Sequence, residues 1–326
     1  MKKLKFKTEL IKIFSLIVFY LILIMPLPYL LESPGGIKDI GPKIEIENKK
    51  DNHNTFYETY IAVRKARIIT LAYAYLNPYW VIVPISETPY HDYEIDRKMS
   101  KLALQLANQR ATIVAYHYAN YEYQIKNEDL HVVYITDDAK TEIKVGDVIT
   151  EYSYDQFLDF LEEKKVGDQI EIKVARDDNI IITNSTLIKE GESAIIGLYL
   201  ETSYDLNTNP IIKITNTEKE SGASAGFMTA LAIFDKLTDL KRINKTFAGT
   251  GTININGQIG EIEGVDLKLV AAADNEIDYF FVPNGLNYET AIITKEKHQL
   301  KIQIIGFDHF EEALQYLYPD YQPRGE

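Results

Sequence analysis

The sequence predicts an α+β chain: an N-terminal transmembrane helix, a β-rich domain, then a mixed α+β domain at the C-terminal end. Three observations carry this. An uncharged run, Ile13 to Leu31, follows a lysine-rich tip. Strand-like alternation flanks a short helical pattern between Leu130 and Ala175. Apolar residues recur at helical spacing after Ser224, and a second apolar run surrounds Lys268.

Composition narrows the function. A chain of 326 residues has room for two or three domains. A net charge of −13 argues against nucleic acid as a partner, because that interface needs a basic face. There is no cysteine, which excludes disulfides, cysteine-held zinc and thiol catalysis. The histidines His53, His91, His117, His131, His298 and His309 show no metal-ligand spacing, so neither a metal nor a cofactor is expected. No Gly-x-x-x-x-Gly-Lys-Ser/Thr loop occurs, so the chain carries no Walker-type ATPase.

The first twelve residues hold Lys2, Lys3, Lys5, Lys7 and Lys12 against Glu9 alone. The uncharged run after them is 19 residues long, nearly enough to cross a hydrocarbon core of about 30 Å. Lysine-rich flanks stay in the cytoplasm. The expectation is a single-pass anchor over 1–32, with a cytoplasmic N-terminus and the rest of the chain extracytoplasmic in a cell membrane. The rival is a cleaved signal peptide, but Tyr29-Leu30-Leu31-Glu32-Ser33-Pro34 lacks the small residues that cleavage needs.

Ser33 to Asn54 reads as a polar connector. Thr55–Val63, Arg67–Ala74 and Val81–Ile85 alternate as strands. From about Asp92 the period changes, and Ile95, Met99, Leu102, Leu106, Ile113 and Tyr116 trace a helical face. The tyrosines from Tyr73 to Tyr123 suit either core packing or a contact surface.

Leu130–Ile135 is strand-like, and Lys144 to Ile149 is a strand entered through Gly146-Asp147. Tyr154–Lys164 is helical, and Gly167-Asp168 leads into the strand Gln169–Ala175. This order resembles a PDZ domain, in particular the insert of membrane-anchored bacterial Lon-like proteases. The resemblance implies that an extended peptide adds to a sheet edge. Asp129-Leu130-His131-Val132 stands where the carboxylate-binding loop is expected and has no glycine.

After the strands Ile195–Leu200 and Ile211–Ile214 comes Ser221-Gly222-Ala223-Ser224-Ala225-Gly226, then Phe227, Leu231 and Phe234 on one helical face. Ser224 should sit at or just before that helix, where unpaired N–H groups favour negative charge. Taken alone, the serine reads as a helix cap in tight packing. Lys268 lies among Val265, Leu267, Leu269 and Val270. Burial lowers a lysine pKa and makes the amine a base; alone, the same lysine reads as a snorkelling side chain. Glu261 and Glu263 read as solvated residues at a strand end. His309, beside Asp308, reads as a cap or a surface residue.

Ser224-Ala225-Gly226, Thr250-Gly251, and Gly264 with Lys268 four residues on stand in an order that resembles the proteolytic domain of the Lon family. The match runs from about Gly191 to Tyr318. It implies Ser224 as nucleophile, Lys268 as general base and Thr250 as a supporting acceptor for the lysine amine. Three positions depart from the family pattern: Ser221, Ala223 and Glu263. None of them removes a reacting atom. The organisation expected is an anchor (1–32), a strand and helix region (33–124), a PDZ-like domain (125–188), a Lon-like proteolytic domain (189–320) and a tail (321–326). The function expected is an ATP-independent extracytoplasmic serine endopeptidase with a Ser-Lys dyad. Its partners would be a peptide or protein substrate and the membrane, with a homo-oligomer by analogy. The alternative is an inactive, membrane-tethered PDZ adaptor.

Overall fold

The computed structural model describes residues 2–49, 56–85, 93–177, 179–218 and 220–323. The first helix, α1, spans Lys2–Leu23 and is followed at once by strand β1, Pro26–Asp39. The uncharged run is therefore divided between two elements. Only Ile13 to Leu23 is helical, about 16 Å at about 1.5 Å per residue, roughly half a hydrocarbon core. Pro26 and Pro28 end the helical part, and Leu31 is a fully buried core residue of β1. Among the described residues no helix is long and apolar enough to cross a membrane. This overturns the predicted transmembrane helix, the single-pass localisation and the inside–outside assignment that followed from it.

The predicted polar connector is also corrected. Its first part is β1, and Pro34-Gly35-Gly36 forms a register shift inside that strand rather than a break. A 3₁₀ turn, Gly41–Lys43, leads to β2 (Ile44–Ile46). The end of the connector, from residue 50, and Thr55 lie outside the described residues. Strand β3 (Phe56–Arg67) pairs antiparallel with β1. The segment predicted as a strand from Arg67 to Ala74 is helix α2, Ile68–Leu76. Arg67 N–H donates to Thr70 Oγ1 at 2.8 Å, and leucine and alanine in the next turn favour helix. Strand β4 (Val81–Pro84) completes this edge of the sheet against β1.

Helix α3 (Tyr93–Ala119) is the long helix foreseen from the apolar period. It leads into β5 (Glu122–Ile135), β6 (Lys140–Thr141), β7 (Val148–Ile149), helix α4 (Tyr154–Glu162), β8 (Gln169–Arg176) and β9 (Asn179–Thr186). The hairpin β10 (Ile188–Glu190) and β11 (Ser193–Ile195) precedes the long strand β12 (Leu198–Asn209). These strands form a six-stranded sheet in the order β12-β5-β7-β8-β9-β6. Its own core, around Leu130, Val132, Ile149, Phe157, Ile172 and Val174, runs on to Leu187 and Ile196. The two Gly-Asp turns are built alike. Gly146 and Gly167 take left-handed φ values of 93° and 91°. Asp147 Oδ2 accepts from Lys144 N–H at 2.8 Å, and Asp168 Oδ2 from Lys165 N–H at 2.9 Å. Arg176 clamps both oxygens of the buried Asp147 carboxylate.

The chain then returns through β13 (Ile212–Ile214), which pairs with β2, into α5 (Gly226–Leu237), β14 (Phe247–Gly249) and the short pair β15 (Thr252–Ile253) and β16 (Ile259–Gly260). Helix α6 (Val265–Asp274), β17 (Tyr279–Pro283), α7 (Leu286–His298), β18 (Gln303–Phe307) and α8 (Phe310–Leu317) follow. The second six-stranded sheet has the order β18-β17-β14-β3-β1-β4. Strand alternation splits its side chains between two cores. Phe56, Phe247 and Phe281 join α5, α3 and α8 on one side, while Ala248, Phe280 and Val282 join α6 and α7 on the other. Helix α5 is buried on all sides, which explains its nearly continuous apolar sequence. The tyrosines divide as well: Tyr116, Tyr118, Tyr121 and Tyr123 pack on the first core, whereas Tyr73 and Tyr75 are exposed.

Candidate active site

Ser224 lies two residues before α5, in a loop that three bonds hold to its surroundings. Gly222 N–H donates to the Ser100 carbonyl of α3 at 2.8 Å. The Ser224 carbonyl accepts Gly251 N–H at 2.8 Å and the Thr250 hydroxyl at 3.0 Å. Gly222 has φ 88°, a value glycine adopts readily. Ser221 and Ala223, which replace other residues of the family pattern, are not at positive φ, so the loop accommodates them without that strain. Among the described residues the backbone N–H groups of Ala223, Ser224 and Ala225 have no hydrogen-bond partner. Together with the start of α5 they form a cluster of donors suited to an oxyanion.

Lys268 sits in the first turns of α6. Gly264, at φ 67°, is the left-handed residue from which that helix starts. Two side chains fix the turn before it, and neither was foreseen as a positioning residue. The amide of Asn287 on α7 accepts from Ile262 N–H at 2.8 Å and donates to the Ile262 carbonyl at 2.9 Å. Glu261 accepts Leu286 N–H at the start of α7, so one of the two alternating glutamates caps a helix. The signal available was a polar residue on an otherwise half-buried helix, which is too common to single out.

Lys268 is 5% exposed, and its Nζ donates to Thr250 Oγ1 at 3.3 Å. Burial pushes its pKa down from 10.5 to about 8, opposed only by the charge of Glu263. Thr250 is fully buried and touches both halves of the site: its oxygen accepts from the lysine and its proton goes to the Ser224 carbonyl. The structure thus brings Ser224, Thr250 and Lys268 together through Thr250. No hydrogen bond joins Ser224 and Lys268 side chain to side chain among the described residues. Glu32 of β1 stands near the same helix start, its carboxyl held above the ordinary range by burial and by Glu263 and Asp266.

A second group of charges underlies the Ser224 loop. Glu220 pairs with Lys38 and, at 3.2 Å, with Lys43, while Lys43 also bonds Glu58. The Glu220 carboxylate further accepts Thr217 N–H at 3.2 Å. The described histidines are occupied elsewhere. His309 caps α8 through Glu311 N–H and meets the Asn256 carbonyl at 2.8 Å. His131 meets Ser203 at 2.8 Å. His53 and His91 lie outside the described residues. Among the described residues no cluster of His, Asp and Glu could hold a metal ion.

In the sheet β12-β5-β7-β8-β9-β6 two strands have an unpaired side, and neither is β5. Strand β5, which carries Asp129–Val132, is paired on both sides, by β12 and β7. The edge strands are β12 and β6, and beside β12 a cavity of about 270 Å³ separates Ile195–Leu200 from Phe157, Leu158 and Leu161 of α4.

Comparison with known proteins bears on the C-terminal part of the chain. Among curated proteins, none matches. Among solved structures, the second domain of the listeria protein Lin2157, determined in solution, is 24% identical, with 24% of this chain and 88% of that one covered and a TM-score of 0.21. Residues 214–319 match the family model of the Lon protease (S16) C-terminal proteolytic domain. That segment contains α5, β14 and α6, and it forms a Lon-like protease domain, a type of domain that acts on protein or peptide substrates.

Proposed function

We propose that the chain is a serine endopeptidase in which Ser224 is the nucleophile and Lys268 its general base. The observation that carries this reading is the burial of Lys268 against a neutral partner, Thr250, that is itself bonded to the serine's own carbonyl. An amine with a pKa of about 8 is substantially neutral at mildly alkaline pH and accepts a proton. In the proposed reaction the Ser224 hydroxyl turns toward Nζ, gives it the proton and attacks the peptide carbonyl. The oxyanion takes donors from the N–H groups at Ala223 to Ala225. Collapse breaks the C–N bond, and the ammonium of Lys268 returns its proton to the leaving amine. Water, deprotonated by the same lysine, then hydrolyses the acyl-enzyme. Nothing in this sequence of steps consumes a nucleotide, so cleavage is proposed to be independent of ATP.

We read the β5–β12 unit as a PDZ-like insert that presents substrate. We take this unit to extend through β12, since β12 pairs with β5 in the same sheet. An extended peptide is proposed to add to the free edge of β12, over the cavity beside α4. The test is to incubate the full chain with an unfolded protein, without nucleotide, beside Ser224→Ala. Cleavage by wild type alone supports the reading. Equal cleavage by both excludes Ser224, and an effect of the chain in cells that survives Ser224→Ala favours an adaptor.

A further inference from the structure

Strand β13 is paired on one side only. It lies against β2, and among the described residues no strand runs along its other edge. Glu47 N–H donates to the Ile211 carbonyl and Thr215 N–H to the Lys43 carbonyl, both at 2.9 Å. Bonded and unbonded residues alternate along an antiparallel pair, so Ile211, Lys213 and Thr215 turn their backbone groups to β2, and Ile212 and Ile214 turn theirs away. Among the described residues the N–H and C=O groups of Ile212 and Ile214 have no hydrogen-bond partner. These same two residues line a cavity of about 550 Å³. Helix α3 gives the cavity one helical face, with Lys101, Gln105, Asn108 and Thr112, and β12 gives it Leu206 and Thr208. The carboxamides of Gln105, Asn108 and, on the loop after β13, Asn216 make no hydrogen bond among the described residues. A carboxamide both donates and accepts, as a peptide main chain does. One end of the cavity lies against the loop that carries Ser224: Glu220 lines it, and Lys101 follows Ser100, whose carbonyl holds Gly222 N–H.

We propose that this cavity is an exosite for the main chain of the substrate: an extended segment, several residues from the cleaved bond, adds to the free edge of β13 and pairs with the carboxamides of α3. The proposal rests on Ser224 being the nucleophile. From Lys101 to Thr112 the helix runs roughly 17 Å at about 1.5 Å per residue, the length of about five extended residues at about 3.3 Å each. Strand addition takes its affinity from main-chain hydrogen bonds, so the segment is held with little regard to its sequence. The site is separate from the edge of β12 beside α4, since it uses Leu206 and Thr208, at the other end of that strand from Leu198 and Leu200.

The test uses the full chain and peptides built around a bond that it cleaves in an unfolded protein. Extending the peptide by about five to eight residues on one side of the bond is expected to raise kcat/KM at least about tenfold, mostly through KM, as two or three net hydrogen bonds would. N-methylation of the amides in the extension should abolish that gain, whereas exchanging its side chains for alanine should leave most of it. Asn108→Trp, which fills the cavity, and Gln105→Leu, which removes a carboxamide, should each lower the ratio of kcat/KM between long and short peptides. That ratio is unaffected by a loss of folded enzyme, so a poorly folding variant does not mimic the result. Labelling of wild-type Ser224 by a small fluorophosphonate separates the two possible failures. No labelling, or no cleaved bond from which to build the peptides, overturns the reading on which the exosite rests. Labelling and cleavage without a gain from the extension, with a gain that survives N-methylation, or with a ratio unchanged in both variants overturn the exosite alone.

Discussion

Burial lowers the pKa of both the half-buried Lys43 and the buried Lys268, yet their surroundings differ. Lys43 lies between two carboxylates, Glu58 and Glu220, and the charge and hydrogen bond of Glu58 oppose the effect of burial. Lys268 has the hydroxyl of Thr250 instead, with Glu263 acting only from a distance. A buried cation with matched anions is a clamp, and here it fastens the loop before Ser224 to the strands β1 and β3. A buried amine without a bonded anion is inclined to lose its proton, which a base requires. Burial beside a neutral partner, rather than burial alone, is therefore what supports the proposed role of Lys268 as a base.

The contrast is broken most severely at Lys268. Lys268→Met should lower kcat/KM for any cleaved peptide by about 10²–10⁴-fold, the usual contribution of a general base. The same substitution should raise stability at pH 7 by about 2–3 kcal/mol, because a buried ammonium with pKa near 8 rather than 10.5 is a cost to the fold. The sign also gives a pH window. Between about pH 8 and 10.5 the unfolded chain holds a proton that the folded chain has released, so the stability of wild type should rise there relative to Lys268→Met. Urea unfolding at several pH values measures both.

At the clamp the effect should be reversed. Lys43→Met leaves the half-buried Glu58 without its cation, while Glu220 keeps Lys38, and should destabilise the chain by about 1–3 kcal/mol. Adding Glu58→Gln and Glu220→Gln should restore much of that loss, read from the urea midpoint. Thr250→Val should have a smaller effect: about tenfold in kcat, and roughly 1–2 kcal/mol in stability for the two bonds it removes. Asn287→Leu should have the smallest, roughly 1–2 kcal/mol with KM nearly unchanged, since it loosens only the turn at Ile262.

Helix α5 was legible because Phe227, Leu231 and Phe234 repeat at helical spacing. Around Lys268 the sequence showed only an apolar run, and the helix start at the left-handed Gly264 emerges from the structure. In the sequence, Ser224 and Lys268 pointed to a dyad rather than to a cap and a snorkelling side chain only when taken together with Thr250-Gly251, which the structure places between β14 and β15. The N-terminal segment was misread because hydropathy along the chain is blind to pairing. Tyr29 to Leu31 looked like membrane span, but β4 pairs with Tyr29 to Glu32 and β3 with Leu30 to Glu32, and the burial of Leu31 is core burial. Glu220, Lys43 and Glu58 were invisible as a group, since they meet only when three distant segments fold together.

The most direct measurement is the pH dependence of acylation of Ser224 by a small uncharged activated ester, followed by mass spectrometry in wild type and in Lys268→Met. The dyad predicts a rate in wild type that rises through an inflection near pH 8, and a slow rate without that inflection in the variant. Acylation of Ser224 at the wild-type rate in Lys268→Met, or a wild-type profile without an inflection in that range, would contradict it.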